Sequence, residues 1–176
     1  MRVLDTERLS LSRFSNEDAE FVLALLNDPS FHQFIGDRGV RVLEDARNYI
    51  AVGPQASYAR HGFGLYLVTR ISDGMPIGMC GLLKRDTLED VDIGFAFLPE
   101  YWGAGYATEA ALAVVEHARS DIGLRRLVAI VSPENAASKA VLQRLGLAYE
   151  RTTRLTPDAH EVDLFARDLA AGSAPY

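Results

Sequence analysis

Residues 91–110 read VDIGFAFLPEYWGAGYATEA and place a strand, a bare turn and a helix in direct succession. The apolar run from Val91 to Leu98 predicts a strand, which Pro99 ends. Gly103 and Gly105 flank a single alanine, and good helix formers follow them. A strand that stops in a flexible corner and leads at once into a helix decides how the rest of the chain is arranged.

The segment after this corner completes a strand–helix–strand unit. Small apolar residues recur at helical spacing from Ala107 to Ala118, so the predicted helix can lie close to a sheet, and Gly123 ends it. Residues 127–131 read LVAIV, an uninterrupted apolar run that is typical of a strand buried on both faces. The two strands of such a unit are expected to be parallel.

Outside this unit the sequence predicts antiparallel strands and short helices. The strand runs joined by short turns form a meander: Phe63–Arg70, Ile77–Leu83 and Val91–Leu98. Further strands are predicted near the two ends of the chain: Arg8–Phe14, Leu147–Thr153 and Glu161–Ala166. The remaining helices are Ala19–Leu26, stopped by Asp28-Pro29, Val42–Val52, ended by Gly53-Pro54, and Ala136–Leu145, capped by Gly146. We expect one domain over residues 1–176, with a loose tail at 170–176.

Composition narrows the class of protein. A net charge of −6 over 176 residues favours a soluble acidic protein, argues against a nucleic-acid binder, and fits a cationic partner such as an amine. Cys80 is the only cysteine, so an internal disulfide or a cysteine metal site is excluded and a reduced, cytoplasmic setting is expected. No signal peptide or membrane span is apparent. The histidines are too scattered to predict a metal site: His32, His61, His117 and His160.

The turn at Gly103-Ala104-Gly105, called the glycine corner below, is suited to bind an anion. A helix that begins at Tyr106 has about four backbone N–H groups without partners, and its dipole adds about half a positive charge. Glycines remove the side chains that would hold a phosphate away from these donors. A tight turn without a ligand is one alternative. A dinucleotide site of an oxidoreductase is another, although Thr108 stands where its fingerprint has Gly or Ala, and only one βαβ unit is visible.

A second group of polar residues follows the buried strand. Asn135 stands at the start of the next predicted helix, and Ser138 follows about one turn later. Asn135 can act as a helix cap, but both side chains can also point to the carboxyl ends of the two parallel strands. Ligands of open α/β sheets bind in that crevice.

Taken together, these motifs resemble the GNAT superfamily of acyl-CoA-dependent N-acetyltransferases, in the branch of the ribosomal-protein alanine N-acetyltransferases. The family's pyrophosphate motif is Gln/Arg-x-x-Gly-x-Gly/Ala, and residues 102–107 read WGAGYA, with Trp in the first position as is common in this branch. The likeness extends over nearly the full chain, through the stretches TERLSLSRF (6–14), DIGF (92–95), TEA (108–110) and NAAS (135–138).

The resemblance implies a fold and a set of binding residues. The expected fold is an α/β (α+β) sheet of six to seven mostly antiparallel strands, with one central parallel pair that splays apart and about four flanking helices. The expected co-substrate is acetyl-CoA, without a metal. Its pyrophosphate is expected on the helix start, Gly103, Ala104, Gly105, Tyr106, Ala107 and Thr108. Its pantetheine arm is expected to add to the strand at Phe95, Ala96 and Phe97, with a hydrogen bond from Asn135.

The resemblance also implies direct transfer of acetyl to an amine in a ternary complex. The amine must lose a proton before it attacks, and a free strand N–H near Phe97 can hold the developing oxyanion. Ser138 is the expected hydrogen-bond partner of the leaving thiol. Asp92 is the candidate base or amine anchor, with a solvent-facing strand carboxylate as the alternative. Cys80 has no evident partner base, so an acyl-enzyme step is not expected.

Two departures from the family pattern leave an alternative open. Many members carry a Glu where this chain has Ile130 and a Tyr where it has Leu142, so a non-catalytic acyl-CoA-binding or sensing domain is the second hypothesis. The acceptor is a protein N-terminus or a small-molecule amine. Aromatic residues after the first strand are candidates to line its pocket: Phe31, Phe34, Tyr49 and Phe63. Dimers are common among family members, so the resemblance leaves a homodimer open.

Overall fold

The computed structural model describes residues 1–169, and the tail predicted to be loose, 170–176, lies outside them. One sheet holds the strands in the order β1-β2-β3-β4-β5-β6-β8-β7. Their bounds are β1 Arg2–Asp5, β2 Leu9–Arg13, β3 Leu65–Arg70, β4 Pro76–Leu83, β5 Asp92–Phe97, β6 Arg126–Val131, β7 Ala148–Thr153 and β8 Val162–Asp168. Among these described strands only β5 and β6 pair in parallel.

The predicted sheet is confirmed, with one strand more than expected. The extra strand, β1, pairs antiparallel with β2, with Arg2 opposite Ser12. It is only four residues long, too short for its alternation to stand out in the sequence. The order of the last strands also needed the structure, because β8 lies between β6 and β7.

Within residues 1–169, six α-helices flank the sheet. Their bounds are α1 Ala19–Leu26, α2 Pro29–Phe34, α3 Leu43–Ile50, α4 Ala56–His61, α5 Tyr106–His117 and α6 Ala136–Arg144. A π-helical segment, Ala51–Gln55, joins α3 to α4, and a second, Ala118–Ile122, continues α5 to Gly123. The helices cover the two faces of the sheet: α1 and α3 contribute to one buried cluster, whereas α5 and α6 contribute to another.

Of the two helix ends predicted at prolines, one was wrong. Asp28-Pro29 stops α1 as predicted, and it also starts α2, because the Asp28 side chain accepts a hydrogen bond from Ser30 N and Pro29 occupies the first turn. Gly53-Pro54 was predicted to end the second helix, yet the helix runs on through Pro54. The wider π turn there tolerates the missing N–H and the ring of Pro54, and Gly62, at φ 78°, ends α4 instead.

The helix of the βαβ unit packs as predicted. The small side chains of α5 lie against the sheet with no exposed surface: Ala110, Ala111 and Val114. They let α5 approach β4 and β5 closely, which places its first turn at the carboxyl end of β5. No helix within residues 1–169 is both long and apolar enough to cross a membrane.

Candidate active site

The parallel pair opens into a cleft. Its register contains one pair, Asp92 with Val128, and Val128 N donates to Val91 O at 3.1 Å. On the other side of β5, Leu98 N donates to Ile77 O at 3.0 Å. Backbone groups alternate along an antiparallel strand, so the N–H groups of Phe95 and Phe97 point away from β4 and toward the cleft. β5 and β6 therefore splay apart as predicted, and the N–H groups of Phe95 and Phe97 form no hydrogen bonds with β6.

A cavity of about 1950 Å³ occupies this cleft. Every predicted site residue except Ala104 lines it: Asp92, Phe95, Ala96, Phe97, Gly103, Gly105, Tyr106, Ala107, Thr108, Asn135 and Ser138. The structure thus brings the strand, the glycine corner and the start of α6 around one space. The individual roles of these residues stay predictions.

The start of α5 presents backbone donors. Gly103 and Gly105 have φ angles of 79° and 83°, in the left-handed region that favours glycine. No side chain caps the helix, and the first turn closes through Glu109 N, which donates to Gly105 O at 3.0 Å. The N–H groups of Tyr106, Ala107 and Thr108 therefore precede the first intrahelical bond and can hold an anion.

An arginine from the first hairpin braces this corner. Arg8 Nη1 donates to Ala104 O at 2.9 Å, Arg8 Nε donates to Glu109 Oε2 at 2.6 Å, and the guanidinium lies 4.4 Å from the centre of the Tyr106 ring. Thr6 Oγ1 also donates to Glu109, at 2.6 Å. Ala104 thus braces the loop through its carbonyl instead of lining the cavity. Sequence reasoning missed Arg8, because nothing local links it to residues about a hundred positions away.

Through these hydrogen bonds Glu109 links α5 to the first hairpin, in addition to being a carboxylate in the first turn of the helix. Burial alone would raise its pKa, but hydrogen bonds from Thr6 and Arg8 outweigh burial and hold the pKa below its usual value. A carboxyl with a lowered pKa stabilises the fold above its ordinary pKa, 4.5 for Glu, and loses that contribution as the pH falls.

Glu109→Ala should lower the free energy of unfolding at pH 7 by about 1–3 kcal/mol, because it removes charge-assisted hydrogen bonds from a largely buried carboxylate. Urea unfolding measures the loss, which should shrink in acid. Glu116→Ala is the matched control: Glu116 lies on the same helix and pairs with Arg119, but its side chain is 60% exposed. Equal losses from the two substitutions would contradict the anchoring role.

Asn135 and Ser138 meet at the start of α6. Asn135 Oδ1 accepts a hydrogen bond from Ser138 N at 3.1 Å, so the capping alternative is correct for this oxygen. The cap leaves the Nδ2 donors of Asn135 without a hydrogen-bond partner within residues 1–169. Ser138 is partly buried and lines the cavity. A cap and a cavity-lining donor are compatible roles for one asparagine.

Asp92 is buried, so the alternative of a solvent-facing carboxylate is wrong. Its side chain is 1% exposed and forms an ion pair with Arg85, whose Nε lies 3.1 Å from Oδ1. Burial raises the pKa of Asp92 to about 6, although the charge and hydrogen bonds of Arg85 act in the opposite direction. A carboxyl with such a pKa can take a proton near neutral pH.

Other positions refine the predicted site. Ile130 and Leu142, the two positions that depart from the pattern of the resemblance, are apolar residues that line the cavity. Trp102 Nε1 donates to Phe97 O at 2.9 Å, so that carbonyl is already engaged while the Phe97 N–H faces the cleft. Phe31, Phe34 and Tyr49 line the cavity, but Phe63 does not: it is buried in the core, where its ring stacks on His61. The prediction for Phe63 was wrong.

Metal chemistry has no visible support in the part of the chain that the structure describes. No group of three or more His, Cys, Asp or Glu side chains comes together there in a way that could hold an ion.

Comparison with known proteins gives consistent matches. A family model described as "Acetyltransferase (GNAT) domain" matches residues 8–148. An uncharacterised N-acetyltransferase, p20 of Bacillus licheniformis, is 27% identical over 178 residues, which cover 97% of this chain and 99% of p20. A GNAT-family acetyltransferase structure from Bacillus anthracis matches with a TM-score of 0.78 at 25% identity, over 96% of this chain and 99% of that one. The fold is also shared with a ribosomal L7/L12 alpha-N-protein acetyltransferase in complex with coenzyme A, with a TM-score of 0.80 at 19% identity, over 98% and 100% of the two chains.

Proposed function

This chain belongs to the GNAT acetyltransferase family, and we propose that it transfers acetyl from acetyl-CoA directly to a primary amine. One observation carries the proposal: the uncapped start of α5 and the unpaired edge of β5 face the same cavity. A phosphate group suits the first, and an extended amide chain suits the second. The related fold that holds coenzyme A supports this reading.

The residues present fit such a co-substrate. The backbone donors from Gly103 to Thr108 suit its pyrophosphate, and Phe97 offers its strand N–H to a pantetheine amide, which leaves the neighbouring cleft-facing N–H of Phe95 for the acetyl group. The Nδ2 group of Asn135 adds a donor on the facing wall. Bound there, acetyl-CoA supplies an activated acetyl group and a thiolate leaving group.

The chain's own groups then perform three tasks. Asp92, directly or through water, accepts the proton that the amine must lose. A strand N–H near Phe97 holds the negative charge that develops on the acetyl oxygen. The Ser138 hydroxyl donates a hydrogen bond to the departing sulfur. All three groups line one cavity, as a ternary complex of both substrates requires.

Cys80→Ala should retain kcat within about twofold if transfer is direct. The Cys80 thiol is fully buried in β4, and burial raises its pKa far above neutral, so it holds no reactive thiolate. Steady-state rates measure the effect, and mass spectrometry of protein mixed with acetyl-CoA alone checks for an acetylated chain. A stable acetyl adduct on Cys80, together with loss of activity in the variant, would contradict direct transfer.

The decisive assay for the proposed function mixes the protein with acetyl-CoA and a panel of amines and measures free thiol. We expect amine-dependent release of coenzyme A. Ile130 and Leu142 favour one competing function, a non-catalytic acyl-CoA sensor, and binding without turnover on any amine would support that function instead. We also propose a cytoplasmic setting, with which the single buried cysteine agrees. The protein acts there as a monomer or as a homodimer.

A further inference from the structure

The cavity wall carries an excess of positive charge. Within residues 1–169, Asp92 is the only acid that lines the cavity, whereas the lining cations are Arg38, Arg60, Lys84, Arg85 and Arg144. The whole chain has a net charge of −6, so this local charge is opposite in sign to that of the molecule. A positive cavity concentrates anionic ligands and disfavours cationic ones.

One of these cations, Arg85, stands beside the candidate base. Side chains alternate along β5, and Ala96 and Leu98 pack in the cluster formed with α1 and α3. Asp92 has the same parity, so it faces that side of the sheet, together with its partner Arg85. Arg85 uses Nε for Asp92, and neither of its Nη groups has a partner within residues 1–169.

Tyr49, from α3, and Arg38 line the same cavity as Arg85. Burial raises the pKa of the Tyr49 hydroxyl, and the charges of Arg38 and Arg85 act in the opposite direction. The structure shows no hydrogen bond from the Tyr49 hydroxyl, nor from Arg38, to any residue it describes. Two guanidinium groups and one phenol therefore hold unused donors at the wall of the cavity.

We infer that this side of the cavity binds an amine acceptor that also carries a carboxylate, an inference that rests on the proposed acetyltransferase function. A planar guanidinium fork matches the two oxygens of a carboxylate, and a neutral phenol adds a third donor. The neighbouring wall is apolar, formed by Phe31 and Phe34. A small α-amino acid with an apolar side chain has all three features: an amine, a carboxylate and an apolar body. Polyamines lack the carboxylate and add positive charge.

Three amines test the inference. L-Phenylalanine and phenethylamine differ by one carboxylate, and spermidine represents the polycations. Thiol release at saturating acetyl-CoA gives kcat/KM for each amine. We expect phenylalanine to exceed phenethylamine by about tenfold or more, since a carboxylate that accepts charge-assisted hydrogen bonds strengthens binding by at least about that factor. Spermidine should be the poorest acceptor.

A pair of arginine variants locates the effect. Arg38→Gln should raise the KM for phenylalanine about tenfold and reduce the preference for phenylalanine over phenethylamine by a similar factor. Arg47→Gln removes the same charge from an exposed arginine of α3 that does not line the cavity, and it should leave the preference unchanged. Circular dichroism melts of both variants check that each protein is folded.

The outcomes separate the inference from the proposed function. Transfer to phenethylamine or spermidine that equals or exceeds transfer to phenylalanine overturns the inference and leaves the acetyltransferase function standing. An unchanged preference in Arg38→Gln also overturns it. No transfer to any of the three amines or to a wider amine panel overturns the proposed function, and this inference with it.

Discussion

Gly105→Val is expected to weaken coenzyme A binding by about 10–100-fold, because it disturbs the backbone donors on which the pyrophosphate would rest. Gly105 precedes α5 with φ at 83°, where a β-branched residue is strained. A Cβ at this position would stand 3.5 Å from Arg8 Nη2, so larger branches would displace the guanidinium that braces Ala104 O. Isothermal titration of the purified protein with coenzyme A measures the loss.

A second glycine provides the matched control for this result. Gly74, in the turn between β3 and β4, has φ at 70° and no atom within 4 Å of an added Cβ, and it does not line the cavity. Gly74→Val should therefore cost about 1–3 kcal/mol of stability from backbone strain without changing coenzyme A affinity. If both variants bound coenzyme A with the affinity of the parent, the proposed pyrophosphate site at the start of α5 would be disproved.

Asp92→Asn is expected to lower kcat by about 100-fold or more, because an amide cannot accept the proton of the amine. The carboxylate is the active form of a base, and the pKa of Asp92 is raised to about 6. In the parent protein kcat should accordingly rise with pH through about 6 and then level off. The variant should lack this limb, which a series of kcat values from pH 5 to pH 8 would reveal.

Urea unfolding of Asp92→Asn distinguishes a loss of catalysis from a loss of folded protein. The folded-state pKa of Asp92, about 6, lies above the usual 3.8, so the neutral form is preferred in the fold. Its favourable contribution is complete below 3.8 and is lost as the pH rises through about 6. Asn is neutral at every pH, so at pH 8 the variant should unfold at no lower urea concentration than the parent.

A buried carboxylate that does not line the cavity, Asp163, provides the control for Asp92→Asn. Asp163, on β8, is 7% exposed and accepts from Thr152 Oγ1 at 2.7 Å, while Lys139 Nζ lies 2.7 Å from its other oxygen. Asp163→Asn should lower stability at pH 7 while kcat and its pH limb persist. An Asp92→Asn variant with parental kcat and an unchanged limb would remove Asp92 from the catalytic role.

The succession of strands and helices along the chain could largely be predicted from the sequence, because each element depends on local periodicity. The alternation of the meander and the small apolar face of α5 both come from neighbours a few residues apart. The failed helix end lies where two local rules compete: Pro54 carries a helix-ending signal, but burial in a π turn overrides it. Asp28-Pro29 ends α1 as predicted and also begins α2.

The candidate site was predicted less completely, and the reason is the same at each position. Gly103, Gly105 and Asn135 belong to continuous motifs, so their common cavity could be expected from the direction of two parallel strands. The brace of Arg8 on Ala104 and Glu109 could not, since it joins segments that lie far apart in the chain. The misplaced Phe63 shows the same limit, because an aromatic residue suits a core as well as a pocket.

The amino-acid sequence alone determined the strand–helix–strand unit, its glycine corner and the donors at the start of α5, since these depend on backbone conformation and short-range spacing. Only the tertiary structure decided the charge and protonation of the site. It buried Asp92 against Arg85, brought Arg38 and Tyr49 to the wall of one cavity and turned Trp102 onto the Phe97 carbonyl. Desolvation and ion pairing depend on which distant side chains share a low-dielectric space, and that arrangement exists only once the sheet has formed.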